Sequence, residues 1–248
     1  MENALLIGLS RQVALRRELD VVANNLANLN TTGYKADGNI FQEFVTPVAR
    51  ATDFVGGDQR LSFVLDRATW HDHGAGPVEH TGNPLDVAID GDAFLAVQTP
   101  RGERYTRNGA LQINAAGELV TGSGDRVLGD GGPIQFQQND RDVIIGRDGS
   151  IAVPDGIRGK LRLVSFARRD ALQKDGSSTF SAPNGVQPAA ATNSSVVQGA
   201  IERSNVRGVI EMTRMIEVTR SYSTVAALLQ QQGDMRRSAI QQLAEVPN

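Results

Sequence analysis

The sequence predicts an α+β protein, with long N- and C-terminal α-helices forming a coiled-coil-like layer and a central antiparallel β-rich domain between them. Three observations predict it. Apolar residues near the N-terminus recur at spacings of three and four. From about residue 70 to 180 they alternate instead, with glycine-containing turns between the alternating runs. Helical spacing returns after about residue 205.

Leu15, Leu19, Val22, Leu26 and Leu29 are four, three, four and three positions apart, which is a heptad seam. Leu6, Leu9 and Val13 continue the apolar face with a slight shift. A helix is predicted over about residues 3–30, roughly 40 Å long at about 1.5 Å per residue. Gly33 stands where a C-terminal glycine would stop it. Residues 34–69, broken by Pro47 and Gly56-Gly57, read as a connector with some strand.

The β-rich segment, taken as 70–195, supplies several strands. "LDVAID" puts Leu85, Val87 and Ile89 on one face, and "FLAVQT" follows the turn Asp90-Gly91-Asp92. "ALQINAAGELVT" is a hairpin closed by Asn114-Ala115-Ala116-Gly117. "DVIIGRDGSIAV" is another, turning at Asp148-Gly149, and "KLRLVSF" is one further alternating strand. Residues 181–195, "SAPNGVQPAAATNSS", lack periodicity and read as a linker.

The last segment, 196–248, is predicted to be a second helix from about Asn205. Val209, Met212 and Ile216 form one stripe; Met215, Val218, Tyr222, Val225 and Leu229 form an adjoining one. So broad an apolar face touches more than one neighbour. This helix is roughly 55 Å long. Both helices are at least as long as a small domain is wide, so they are expected to pair with each other, with other subunits, or both. The first helix alone is close to energetic balance, and both termini are expected to be largely unfolded in the monomer and to gain order on assembly.

Composition narrows the function. Of 248 residues 40% are hydrophobic, only 5% aromatic and 26 are glycine, a lean core that suits many turns or surfaces completed by other chains. A net charge of -3 gives no reason to expect nucleic acid, and no dense basic cluster suggests an anionic membrane. There are no cysteines, which excludes disulfides and thiolate chemistry. The start "MENALLIGLSRQ" lacks a basic leader and a long apolar run, so no cleaved secretory signal is expected, and work outside the cytoplasm would need a dedicated export machine. No segment approaches the ~20 apolar residues of a membrane span.

Residues 23–35, "ANNLANLNTTGYK", place Asn24, Asn25, Asn28 and Asn30 at the end of the first helix. Asparagine favours helix ends and turns over helix interiors, so one reading is a solvated helix end. The other uses spacing: Asn24, Asn25 and Asn28 form a polar stripe beside Val22, Leu26 and Leu29. Amides at the margin of an apolar interface penalise every register that leaves them unpaired.

"ANNLANLNTTGYK" closely resembles the N-terminal motif of the flagellar basal-body rod, hook and hook-associated proteins. "SNVRGVIEMTRMIEVTRSY" (204–222) resembles their C-terminal motif, and residues 81–129 resemble the β domain shared by rod and hook subunits. Length and central segment look most like the proximal-rod members, with the distal-rod members as the close alternative. The resemblance implies assembly roles for Asn24, Asn25, Leu26, Asn28, Thr32, Gly33 and Tyr34. At the other end it implies them for Ser204, Asn205, Val206, Glu211, Met212, Met215, Ile216, Arg220 and Tyr222. Leu19, Val22 and Leu29 join this interface through the seam. One departure is Arg207-Gly208, where the family often has Asn or Pro, and Gly208 weakens a first helical turn.

The resemblance further implies terminal helices packed around a central export channel with the β domain outside. It implies a stiff, torque-transmitting tube in the periplasm. The implied partners are copies of the chain, other rod subunits and the flagellar export apparatus, with neither nucleic acid nor membrane insertion.

Other chemistry reads weakly. His71 and His73 with Glu79 and His80 could ligate a metal, but Ala75 and Gly76 stand where a metallo-hydrolase pattern needs Asp and His. Asp86, Asp90 and Asp92 read as turn residues, not a calcium loop. "GSGDRVLG" is not a dinucleotide motif, and no GxSxG elbow is present. No cofactor, metal or catalytic residue is expected. The remaining alternatives are an enzyme and a secreted β-domain binding module.

Overall fold

The computed structural model describes residues 2–46, 61–176 and 178–244. Along the chain it has a helix at each end, α1 (Glu2–Ala27) and α2 (Gly208–Ala244), and an antiparallel β-rich region between them in sequence. The chain divides into two compact units. The terminal unit holds Met1–Leu26, Asp37–Trp70 and Arg207–Asn248; the central unit holds Ala27–Ala36 and His71–Val206.

In the terminal unit Leu15 and Val22 of the seam are buried, together with Ala14, while Leu19 and Leu26 are half-buried. Glu18 and Arg214 pair at 2.9 Å. A Cβ on Gly8 would lie 2.6 Å from Leu229. These two contacts progress in opposite chain senses, so α1 and α2 run antiparallel. Between the helices in sequence, the strands Asp37–Thr46 and Leu61–His71 pair with each other. Most of the described part of the predicted connector is thus strand; its breakers Pro47 and Gly56-Gly57 lie outside the described residues.

Two predicted boundaries are corrected. α1 stops at Ala27, six residues before Gly33. The Thr31 hydroxyl donates to Asn28 Oδ1 at 3.1 Å and the Thr31 N–H to the Asn28 carbonyl at 3.1 Å, so local side-chain bonding ends the helix. α2 begins at Gly208, well inside the segment 196–248. Ser195–Gln198 and Ala200–Glu202 are strands, which pair antiparallel with Val87–Asp90 and Val78–His80. The β-branched pair Val196-Val197 favours strand, and Gly199 (φ +73°) turns the chain between the two.

The central unit is built on the strand Phe94–Thr99, which pairs with Gly102–Thr106, Arg126–Gly129 and Leu163–Ser165. Leu95 and Val97 enter one apolar cluster with Val87, Leu119, Val127 and Ile151. Phe94 and Ala96 enter another with Tyr105, Val164, Phe166 and Phe180. Both faces are covered over its first four residues, so burial is continuous from Phe94 to Val97. Both predicted hairpins form: Leu111–Ile113 with Leu119–Thr121, and Ile144–Ile145 with Ser150–Val153, with Gly117 and Gly149 at φ +80° and +82°.

The single strand predicted at "KLRLVSF" is two. Gly156–Lys160 pairs with Ser150–Val153, whereas Leu163–Ser165 joins the larger sheet. Within the linker, Ala189–Ala190 pairs with Val164 and Ser165.

Candidate functional site

The central unit brings the N-terminal Thr-Thr-Gly-Tyr-Lys segment against Glu202-Arg203-Ser204-Asn205, and the two are clasped together. Gly33 N–H donates to the Glu202 carbonyl at 2.8 Å, and Asn205 N–H to the Tyr34 carbonyl at 3.4 Å. The Asn205 side chain accepts from Ala36 N–H at 2.8 Å and donates to the carbonyls of Asp72, at 2.9 Å, and Gly74, at 3.2 Å. One amide therefore ties three chain segments. Ser204 Oγ accepts from Val206 N–H at 3.2 Å, an arrangement that turns the chain two residues before α2.

Beneath these bonds lies a buried charge cluster. Glu202 Oε1 accepts from Lys35 Nζ at 2.6 Å and Gly76 N–H at 2.8 Å; Oε2 accepts from Arg107 Nε at 2.6 Å. Lys35 also donates to the Gly74 carbonyl at 2.6 Å. Arg107 reaches the carbonyls of Ile89, Gly91 and Ala93 at 2.7–2.9 Å. The side chains are 0%, 1% and 4% exposed for Lys35, Glu202 and Arg107. Burial holds the Lys35 ammonium below its ordinary range, and the Glu202 carboxylate opposes that shift. Tyr34 is buried, with Lys174 Nζ 3.7 Å from its ring centroid.

Gly33 is needed for this close approach rather than for stopping the helix. Its φ is +67°, and a Cβ would lie 2.4 Å from both Arg107 C and Asn108 N. Asn28, Leu29 and Thr32 lie half-buried in the same unit, and Val206 is buried.

In the terminal unit Asn25 is 1% exposed. Its amide nitrogen donates to the Asp37 carbonyl at 2.8 Å, and its oxygen accepts from Asp37 N–H at 2.9 Å. Asn24 Nδ2 reaches the Asp37 carboxylate at 3.4 Å. These bonds give Asn25 an anchoring role inside the subunit: one side chain plays the part of a strand partner where the chain leaves the helix. The isosteric Asn25→Asp variant should cost about 1–3 kcal/mol, because it turns a carboxylate oxygen toward the Asp37 carbonyl. Thermal unfolding of variant against wild type checks this.

Met212, Ile216 and Arg220 are exposed on α2, while Glu211, Met215 and Tyr222 are half-buried. Sequence reasoning passes over Lys35, Arg107, Glu202 and Lys174. Lys35 stands within the N-terminal motif, but nothing local marks the other three.

Three family profiles match the chain. The flagella basal body rod protein profile matches residues 5–35, the flagellar hook protein FlgE/F/G D1 domain residues 88–153, and the flagellar basal body rod FlgEFG protein C-terminal residues 197–242. The flagellar basal-body rod protein FlgF of Caulobacter vibrioides is 38% identical, covering 99% of this chain and 100% of the relative. The chain belongs to the flagellar basal-body rod protein family.

FlgF of Mesorhizobium japonicum is 36% identical over 98% of each chain, and the rod protein FlgG of Bacillus subtilis is 31% identical over 92% of this chain and 94% of its own. These relatives are named as flagellar basal-body rod proteins. This rod-family chain is a structural subunit of the basal body, and its membership implies association with other basal-body components. The N- and C-terminal profiles both reach the clasp: the first ends at Lys35, and the second takes in Glu202 and Asn205. Among the described residues no helix is long and apolar enough to cross a membrane.

Proposed function

We propose that this rod-family subunit builds the proximal part of the flagellar rod, packing its terminal helices as a coiled-coil-like layer around the export channel. The tube so formed transmits torque in the periplasm. Its partners are copies of itself, sister rod subunits and the flagellar export apparatus. The observation that carries this reading is the apolar surface of both helices. Leu6, Leu9 and Val13 on α1 are 48–56% exposed, and Val209, Met212 and Ile216 on α2 are 50–79% exposed. Contiguous apolar surface of this kind marks an interface.

A distal-rod position is the second reading, favoured by the FlgG relative that aligns along nearly the whole chain. Removing residues 2–22 takes away the seam upstream of Asn25 and leaves the clasp residues in place. The shortened chain should keep a folded β-rich unit, seen by its thermal transition, yet fail to enter the rod and leave cells non-motile. Normal motility with the shortened chain would overturn the assembly reading.

A further inference from the structure

Residues 71–74 run beneath both terminal motifs. The Asp72 carbonyl accepts from Asn205, the Gly74 carbonyl accepts from both Asn205 and Lys35, and Asp72 N–H donates to the Ala36 carbonyl at 2.8 Å. His73 adds a side-chain anchor to these main-chain bonds. Its ring lies against Phe180, 5.3 Å between centroids, and against Phe94 and His71 at 6.1 and 6.3 Å. Both ring nitrogens are closed to solvent and without a hydrogen-bond partner among the described residues; the Arg169 main chain is the one acceptor close enough to favour the charged ring, and it offsets the lowering only in part.

We propose that His73 is an acid-operated latch: on taking up a proton its ring leaves the Phe94–Phe180 surface, and residues 71–74 then release the two motifs they hold.

The surroundings favour release over accommodation. The charged and titratable groups facing the ring are His71 from the end of the 61–71 strand, Lys35 from the N-terminal motif, Arg169 from the 169–171 turn, and the neighbouring Asp72. Asp92 and Asp170 line the cavity of about 480 Å³ beside it. Two of these carboxylates are engaged with other groups: Asp72 Oδ1 accepts from Gly74 N–H at 2.9 Å, and Asp92 pairs with Arg169 at 2.5 Å. An imidazolium here would gain no anion and face added positive charge. Burial first, then His71, Lys35 and Arg169, bring the ring down to a pKa of about 4 from the ordinary 6.5. The released form binds the proton more tightly, so the closed form is fully favoured above pH 6.5 and progressively lost as pH falls toward 4.

Amide exchange of the full-length protein tests this, expressed as protection factors so that intrinsic pH effects cancel. Between pH 7 and pH 4.5 protection at Ala36 and Asp72 should drop by roughly ten- to sixtyfold in wild type, the upper figure being what a ring that moves fully from a pKa of about 4 to 6.5 supplies. In His73→Phe it should stay within about twofold, and His71→Gln should keep the wild-type drop. An NMR titration of the wild-type His73 ring needs no variant, and its midpoint should fall well below 6.5. Constant wild-type protection, a His73→Phe profile that follows wild type, or a ring midpoint near 6.5 would each overturn the proposal.

Discussion

Glu202→Ala should lower the stability of the β-rich unit by about 3–5 kcal/mol, the range for removing one partner of a buried pair. The carboxylate is the acceptor shared by Lys35, Arg107 and the Gly76 N–H, and all three side chains are nearly inaccessible. Without it two cations remain buried with no anion. They respond differently. Arg107 keeps its charge at any accessible pH but retains three carbonyl acceptors. Lys35 keeps only the Gly74 carbonyl and adapts by giving up its proton.

That difference gives the prediction a pH signature. The folded Lys35 already holds its proton less tightly than the unfolded chain does. The unfolded state therefore binds more protons, and this contribution to stability rises with pH from the lowered folded value up to about 10.5. Losing Glu202 removes the interaction that opposes the burial effect, so the variant's stability should climb more steeply over that window than wild type's. Thermal unfolding of both proteins from pH 7 to 10 reads the difference. At roughly 2–4 °C per kcal/mol for a chain of this size, the loss near pH 7 is about 10 °C. Glu202→Gln, which keeps shape and one acceptor, should fall between. If Glu202→Ala loses less than about 1 kcal/mol, the cluster is not what fastens the motifs.

The parts legible in the sequence are those set by neighbours within a few residues. The 111–121 hairpin follows from Asn114 and Gly117: the asparagine side chain accepts from the N–H groups of Ala116 and Glu118, and Gly117 takes the positive φ. The α1 seam is legible because Leu15 and Val22, the two buried members, obey the heptad spacing. Residues whose role is set by distant chain are not. Glu202 reads as a surface charge between Ile201 and Arg203, yet its partner Lys35 is 167 positions away. "KLRLVSF" alternates at Leu161 and Leu163 and slips phase at Leu163-Val164; the change of sheet, with Leu161 bridging to Gly129, is set by distant partners. By spacing alone, the asparagines of the N-terminal motif mark a helix margin. The structure also gives Asn25 a backbone partner in Asp37, twelve residues on, that spacing along a helix could not indicate.

Gly33→Ala should be among the most damaging single substitutions in the chain, at about 3–5 kcal/mol, although it adds one methyl group. A non-glycine residue at φ +67° costs on the order of 1 kcal/mol by itself. The larger share is steric: the new carbon would stand 2.4 Å from Arg107 C and Asn108 N and 2.7 Å from Arg107 O. These are backbone atoms next to a side chain bound to Glu202 and three carbonyls, so they have little freedom to retreat. Moving Gly33 instead would break its bond to the Glu202 carbonyl.

Two comparisons separate the causes. Gly82 has φ +72°, but a Cβ added there would meet nothing within 4 Å, so Gly82→Ala should cost only the conformational part, about 1 kcal/mol. Asparagine tolerates the left-handed conformation better than alanine, so Gly33→Asn would recover stability if dihedral angle alone mattered. The close contact says it will not. Equal thermal midpoints for Gly33→Ala and Gly82→Ala, or recovery with asparagine, would remove the steric argument. If the contact governs, the motif's glycine is required because residues 33 and 107 must touch backbone to backbone, and a rod subunit lacking that contact should leave cells non-motile.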